Sequence, residues 1–234
     1  NGTVYGLHLR SVSSTTVTQC LITNPLGYAL TVGAAGFPAN DNTVSQSTIT
    51  SNTGTGALYL QGARNSFVSD YISNSGGYGA EVTAASFNSI LQSTITNNSA
   101  VFPAVYLINS ATNTVTQSVI VNGAGDGILL DTNANWNVIQ QSAVQGGGSG
   151  IKIQGVIGLG IAHSSATGGS GAASAGVSIN NASEYITVSN SYVQGSTAVY
   201  INSSTRTSVN ANVLAGTGAA GSGLWMTNGS RVLA

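Results

Sequence analysis

The chain has 234 residues, of which 41% are hydrophobic and only 5% are charged, and its formal net charge is −1. The hydrophobic content excludes a disordered chain, and the scattered Lys and Arg residues exclude nucleic acid as a partner. No apolar run reaches the ~18 residues that a transmembrane helix needs, so we expect no membrane span.

The first predicted element is a short strand that recurs along the whole chain. A small residue followed by an apolar–any–apolar triplet occurs ten times, at steps of 22 residues (Ala57 to Gly79) to 28 residues (Ala29 to Ala57). Alternation with period two predicts strands whose first and third residues point inward. A repeat of this length is typical of a solenoid. The triplets are Leu7–Leu9, Leu30–Val32, Leu58–Leu60, Ala80–Val82, Val105–Leu107, Ile128–Leu130, Ile151–Ile153, Val177–Ile179, Val199–Ile201 and Leu224–Met226.

A second pattern follows each triplet and predicts two more strands per repeat. It has an apolar residue, a small polar one three positions later and another apolar one two positions after that, as in Val44, Ser47 and Ile49. We expect Asp70 to be buried and hydrogen-bonded at this polar position, and Cys20 to be a buried small residue. The polar positions are Cys20, Ser47, Asp70, Ser93, Ser118, Ser142, Ser164, Ser191 and Asn212.

The turn that closes each repeat begins with Asn or Gly after the third strand. Both residue types tolerate positive φ, so we interpret this position as the turn that closes the coil. The loop before the triplet lengthens from Gly168 to Gly176, where it contains only Gly, Ala and Ser. The closing residues are Asn24, Asn74, Asn97, Asn122, Gly146, Gly168, Gly195 and Gly216.

Ten units in register from Gly6 to Leu233 resemble the right-handed parallel β-helix repeat family, the pectate-lyase-like superfamily. A unit of about 23 residues leaves no room for a helix. We therefore expect an all-β, right-handed parallel β-helix of about ten coils with three short strands per coil, forming a single domain over residues 1–234. The resemblance also implies that the polar positions stack as a ladder, and that polysaccharides bind on the first-strand face. Each buried hydroxyl of the ladder needs a partner, which we expect the identical residue one coil away to supply.

The outward residue at the centre of each triplet supplies the candidate ligand-binding residues. Tyr59, Tyr106, Tyr200 and Trp225 have flat rings that could stack on sugars. The alternative is that these rings pack laterally against neighbours in the sheet, where aromatic residues are common.

Evidence for catalysis in the sequence is weak. The candidates are Glu81, Asp131 and Lys152, with Glu81 as acid and Asp131 as base. Two coils span about 9.6 Å, near the upper end of the carboxylate separation in inverting glycoside hydrolysis. The aspartate and basic clusters of the family's hydrolases and lyases are absent. We therefore assign no catalytic residue, no cofactor and no metal, and favour a non-enzymatic role while enzyme activity stays open.

The ends of the sequence suggest self-assembly, because neither shows a capping element. Thr3, Val4 and Tyr5 at one end could pair with Val232 and Leu233 of another copy, and such a head-to-tail contact would propagate as a filament. The alternative is that caps lie outside this sequence.

The predicted function is thus a secreted structural protein that stacks head to tail with itself into an extracellular filament or surface appendage. The alternatives are a carbohydrate-binding or adhesin-type rod with a polysaccharide as partner, and a polysaccharide lyase or hydrolase acting on the first-strand face. Abundant Ser, Thr, Asn and Gly favour an extracellular or cell-surface location.

Overall fold

The computed structural model describes residues 5–52, 55–218 and 221–233. Within these ranges the secondary structure consists of strands and turns, and the chain visits three parallel sheets in turn. The prediction of an all-β parallel β-helix with three strands per coil is confirmed, with about nine complete coils in place of ten. The described part of the chain has no helix able to cross a lipid bilayer.

The three sheets contain ten, ten and nine strands within the described residues. The first sheet, which contains the predicted triplets, consists of β1 (Leu7–Leu9), β4 (Leu30–Val32), β7 (Gly56–Leu60), β10 (Tyr78–Thr83), β13 (Val105–Ile108), β16 (Ile128–Asp131), β19 (Ile151–Gln154), β22 (Ala175–Asn180), β25 (Thr197–Asn202) and β28 (Ser222–Thr227). The second sheet consists of β2 (Thr16–Thr18), β5 (Thr43–Ser45), β8 (Ser66–Val68), β11 (Ser89–Leu91), β14 (Thr114–Thr116), β17 (Asn137–Gln140), β20 (Ile157–Ala162), β23 (Glu184–Ser189), β26 (Thr207–Asn210) and β29 (Val232–Leu233). The third sheet consists of β3 (Leu21–Asn24), β6 (Thr48–Ser51), β9 (Tyr71–Asn74), β12 (Thr94–Asn97), β15 (Val119–Asn122), β18 (Ala143–Gly146), β21 (Ser165–Thr167), β24 (Tyr192–Gly195) and β27 (Val213–Gly216).

The core lies between the three sheets and follows the period-two pattern. In β7, Leu58 and Leu60 are fully buried while Tyr59 between them is only partly buried. Phe67 of β8 and Ile72 of β9 are also fully buried, so each sheet contributes to the same core. Most strands therefore keep alternate side chains on the outside of the rod, whereas Thr31 of β4 and Ser178 of β22 are buried.

The polar ladder between the second and third sheets forms as expected, but its hydrogen bonds differ from the predicted hydroxyl-to-hydroxyl contacts. The Ser93 hydroxyl oxygen accepts the backbone N–H of Asp70 in the preceding coil at 3.1 Å and donates to the Leu91 carbonyl at 2.9 Å. Asp70 is buried and accepts the Ser47 N–H at 2.8 Å. The prediction for Cys20 is wrong, because this thiol is exposed in the first described coil.

A second ladder, of asparagines, lies between the first and second sheets and was not predicted. The side-chain oxygen of Asn113 accepts both the backbone N–H of Asn88 at 2.9 Å and its side-chain amide at 3.0 Å. The ladder satisfies backbone groups that the turn would otherwise bury without a partner. Its members are Asn42, Asn65, Asn88, Asn113 and Asn137.

The closing turn follows the third strand as predicted, although none of the predicted Asn and Gly residues has a positive φ. Asn74 instead shapes its turn with its side chain, which donates to the Tyr78 carbonyl and accepts the Gly76 N–H, both at 3.0 Å. At Gly146 the reason is space, because an added Cβ would lie 2.0 Å from the Ser149 carbonyl oxygen.

The predicted assembly ends are described in part. Thr3 and Val4 lie outside the described residues. Tyr5 packs its ring 4.5 Å from that of His8, and Val232 and Leu233 form β29 beside β26. Head-to-tail stacking stays a prediction.

Candidate functional site

The outward centres of the triplets form one continuous row on the first sheet. Strand pairing aligns Tyr59 with Glu81, Glu81 with Tyr106 and, further along, Tyr200 with Trp225. Neighbouring members are about 4.8 Å apart, the spacing of paired strands. We call this surface the first-sheet face. From β7 to β28 its row reads Tyr59, Glu81, Tyr106, Leu129, Lys152, Ser178, Tyr200 and Trp225.

Half of this face is occupied by a group of side chains that contact one another. The Tyr28 ring lies 5.1 Å from the Tyr59 ring, and the Tyr28 hydroxyl donates a short hydrogen bond to Glu81. The Tyr78 ring stacks on Tyr106 at 5.3 Å, with an angle of 8° between the two planes. We call Tyr28, Tyr59, Tyr78, Tyr106, Glu81 and Asp131 the tyrosine cluster.

The phenols of the tyrosine cluster are held in their protonated form. Burial, followed by the neighbouring Asp131 carboxylate, raises the pKa of Tyr106 to about 12. Burial and then the hydrogen bond to Glu81 raise the pKa of Tyr28 well above its usual range. These hydroxyls therefore act as hydrogen-bond donors to the carboxylates at neutral pH.

Glu81 and Asp131, the predicted acid and base, are offset along the strands. Asp131 pairs with Ile108, which in turn pairs with Thr83, so it lies two residues beyond the Glu81 position. Two strand spacings and two residues separate their Cα atoms by about 12 Å. Both carboxylates are also engaged, because Thr83 donates to Glu81 at 3.3 Å and Tyr106 to Asp131 at 3.3 Å.

The other half of the face contains an open cleft of about 600 Å³. One wall comes from the long loop before β22, which contributes Ala172, Ala173 and Ser174. The floor and the opposite wall come from the first sheet, including the predicted residues Lys152, Tyr200 and Trp225. We call this the cleft.

Aromatic and polar side chains line the cleft side by side. Tyr200 and Trp225 contact edge to face at 5.7 Å, and Trp225 remains 50% exposed. Lys152 Nζ lies 3.5 Å from the Asp126 carboxylate. Gln154 and Asn180 contribute amide groups to the lining. The cleft therefore offers an accessible ring face beside hydrogen-bonding groups.

Sequence reasoning missed Gln154, Asn180 and the loop wall. The two amides sit one position after their triplets, at the next outward place along β19 and β22, so the alternation could have revealed them. The sequence showed that the loop before β22 is long, but not that it forms a wall of the cleft, because its small residues contribute only to the shape of that wall.

Metal-binding side chains do not cluster in this part of the molecule. Across the described ranges, no three His, Cys, Asp or Glu side chains come together in a way that could hold a metal ion.

Comparison with known proteins gives a family and a set of structural neighbours. The model of a family described as the right-handed β-helix region matches residues 1–142. No curated protein matches the sequence.

The structural neighbours share the fold at low sequence identity. An alginate lyase from Paenibacillus sp. str. FPU-7 superposes with a TM-score of 0.60 at 16% identity, covering 94% of this chain and 92% of the lyase. The A-module of the Azotobacter vinelandii mannuronan C-5 epimerase AlgE4 gives 0.58 at 12% identity, over 98% of this chain and 76% of the module. The AlgE6 A-module of the same organism gives 0.54 at 13% identity, with coverages of 98% and 76%.

Proposed function

The chain belongs to the right-handed β-helix family, and from this membership we propose that it is a polysaccharide-binding protein that holds a glycan along its first-sheet face. The observation that carries the proposal is the cleft, which joins a half-exposed indole to ammonium, amide and hydroxyl groups in about 600 Å³. A sugar has apolar ring faces and a rim of hydroxyls, and concave sites with few polar groups suit such ligands.

Each side chain of the cleft has a role in this proposal. Trp225 stacks on the apolar face of one sugar, and Tyr200 fixes the indole from its edge. Lys152, Gln154 and Asn180 hydrogen-bond the hydroxyls at the rim of the ring.

The named neighbours support the class of ligand. One is an alginate lyase and another a mannuronan epimerase, and both names refer to polysaccharides. An extracellular location follows from the proposal, since structural polysaccharides lie outside the cell membrane. No observation supports the predicted filament, so glycan binding replaces it as the proposed function.

The test compares the wild type with Trp225→Ala in titrations against alginate, pectate and xylan. We expect the wild type to bind at least one of these, and the variant to bind that polymer about tenfold more weakly, which corresponds to about 1.4 kcal/mol. Tyr192→Ala is the matched control, because Tyr192 is a 42% exposed aromatic residue on the third sheet. Equal binding by the Trp225 variant and the control would contradict the proposal.

A second candidate function is polysaccharide lyase activity, which the placement of Lys152 in the cleft favours. The elimination needs a base at the carbon beside a uronate carboxyl group, and Lys152 is the basic side chain among the described residues that line the cleft. A lyase would release unsaturated sugars from alginate, detected by ultraviolet absorbance, and Lys152→Ala would abolish the signal. Tight binding without product would leave binding as the function.

A further inference from the structure

A second aromatic surface lies on a different side of the rod, at the turn between the first and second sheets. The residue immediately before each member of the asparagine ladder has a positive φ, as have its equivalents in later coils. Because ladder residues stack in register, these preceding residues form a row with one member per coil. We call it the turn row, and it reads Asp41, Arg64, Phe87, Thr112, Trp136, Gly158, Tyr185 and Arg206.

Within the turn row, exposed aromatic residues alternate with small ones. Phe87 is 62% exposed, Trp136 58% and Tyr185 47%. Between them stand Thr112 and Gly158, whose side chains are small or absent. The backbone positions of the three aromatic residues are thus two coils apart, about 9.6 Å at the spacing of parallel strands.

These aromatic residues adopt a backbone conformation that is unfavourable for bulky side chains. Phe87, Trp136 and Tyr185 have φ values of 60°, 57° and 57°. A left-handed conformation suits Gly and Asn, and bulky residues there store strain that often accompanies a binding role. Burial in the core does not account for them either, since about half or more of each residue is exposed.

The indole of Trp136 is held in place with one face outward. A Cβ added to Gly158 would lie 2.3 Å from the Trp136 ring, so the ring lies directly over this glycine. The backbone N–H of Trp136 donates to the Gly158 carbonyl at 2.6 Å. The glycine therefore supports the inner face of the indole while the outer face remains available.

Charges in the row are confined to its flanks and are paired. Arg64 binds the Asp41 carboxylate at 2.7 Å, and Arg206 binds Glu184 at 2.9 Å. The Arg206 guanidinium also lies 4.9 Å from the centre of the Tyr185 ring, which fixes that ring. The stretch from Phe87 to Tyr185 in the row carries no charge of its own, so it suits an uncharged ligand.

We propose that the turn row binds an extended, uncharged, β-1,4-linked polysaccharide, independently of the first-sheet face. In such a chain successive sugars are flipped, so the same ring face recurs at every second sugar. One sugar is close in length to one coil of the protein. Phe87, Trp136 and Tyr185 therefore contact equivalent faces of alternate sugars, and the small residues between them, Thr112 and Gly158, project no further bulky side chain into the row.

The test is retention of the protein on microcrystalline cellulose at low and high salt. We expect retention that does not weaken with salt, because the contact is uncharged. Single Phe87→Ala, Trp136→Ala and Tyr185→Ala variants should each weaken binding roughly threefold to tenfold, and the triple variant should lose it. Tyr192→Ala is the matched control, and circular dichroism and thermal melting verify that each variant folds.

Two results would overturn this proposal: no retention of the wild type on cellulose, or retention of a folded triple variant at the wild-type level. The triple variant is also titrated with the soluble polymer that the wild type binds through the cleft. Loss of cellulose retention with unchanged binding of the soluble polymer separates the turn row from the cleft, so that each proposal stands or fails alone.

Discussion

The tyrosine cluster and the cleft occupy two halves of the same face, and both contain aromatic residues at the centres of triplets. In the cluster, the Tyr106 ring stacks on the Tyr78 ring, and the Tyr106 hydroxyl donates a hydrogen bond to Asp131. In the cleft, Trp225 makes one edge contact with Tyr200 and stays half exposed. The difference teaches that an aromatic residue on a strand marks a binding site only where its contacts within the protein leave a ring face available.

The largest expected effect on stability comes from removing a ring in the tyrosine cluster. Tyr78→Ala deletes the stacking contact with Tyr106 and an edge contact with Phe102 at 4.8 Å. We expect the free energy of unfolding to fall by about 2 kcal/mol, measured by denaturant titration. Polysaccharide binding should be unchanged. A Tyr78→Ala variant with wild-type stability and weakened glycan binding would indicate that the tyrosine cluster, and not the cleft, binds the glycan.

Asp70 extends the comparison to a carboxylate without a phenol partner. One of its oxygens accepts the Ser47 N–H, while the other is buried with no hydrogen-bond partner among the described groups. Burial raises the pKa of Asp70 from 3.8 to about 6, although backbone hydrogen bonds act in the opposite direction. The folded state therefore holds this proton more tightly than the unfolded state.

Stability should consequently fall as the pH rises from about 4 to about 6, and stay reduced at pH 7. At about 1.4 kcal/mol per pKa unit the upper limit of this loss is about 3 kcal/mol, and solvent screening reduces it below the effect of Tyr78→Ala. Asp70→Ser installs the residue of the other ladder positions and should remove this pH dependence. Thermal melting across this range tests it, and identical pH profiles for the two proteins would contradict the account.

The smallest expected effect comes from the Tyr106 hydroxyl. Its pKa of about 12 exceeds the usual value of 10, so the folded state retains a proton that the unfolded state loses. Stability should decrease as the pH rises from 10 to 12. Tyr106→Phe should show a shallower decrease and, at neutral pH, a loss of about 1 kcal/mol for the missing hydrogen bond to Asp131. Alkaline unfolding curves of both proteins distinguish these cases.

Much of the fold could be predicted because the repeat forces identical residues into identical environments. The triplets revealed the first sheet, and the serines revealed one ladder. The asparagine ladder was not predicted, because Asn65 and Asn88 lie just before the second strand, outside the two patterns from which the strands were derived. Cys20 follows the ladder pattern yet is exposed, since its coil is the first one described and is stacked on one side.

The site was harder to predict because its properties depend on distances between coils. The sequence placed Tyr59 and Trp225 in the same row, but only the structure shows which rings contact neighbouring side chains. The cleft wall consists of Ala172, Ala173 and Ser174. These small residues act by shape, which composition does not reveal. The turn row was missed because its φ values are a property of the backbone.

The most direct test of the account uses the two tryptophans of the protein, Trp225 in the cleft and Trp136 in the turn row. In Trp136→Phe, the remaining indole emission reports on the cleft alone. Titrating this variant with the soluble polysaccharide that the wild type binds should change the Trp225 emission saturably, over the same concentration range as binding. Binding that leaves the Trp225 emission unchanged, and that Tyr106→Phe abolishes, would place the glycan on the tyrosine cluster and contradict the account.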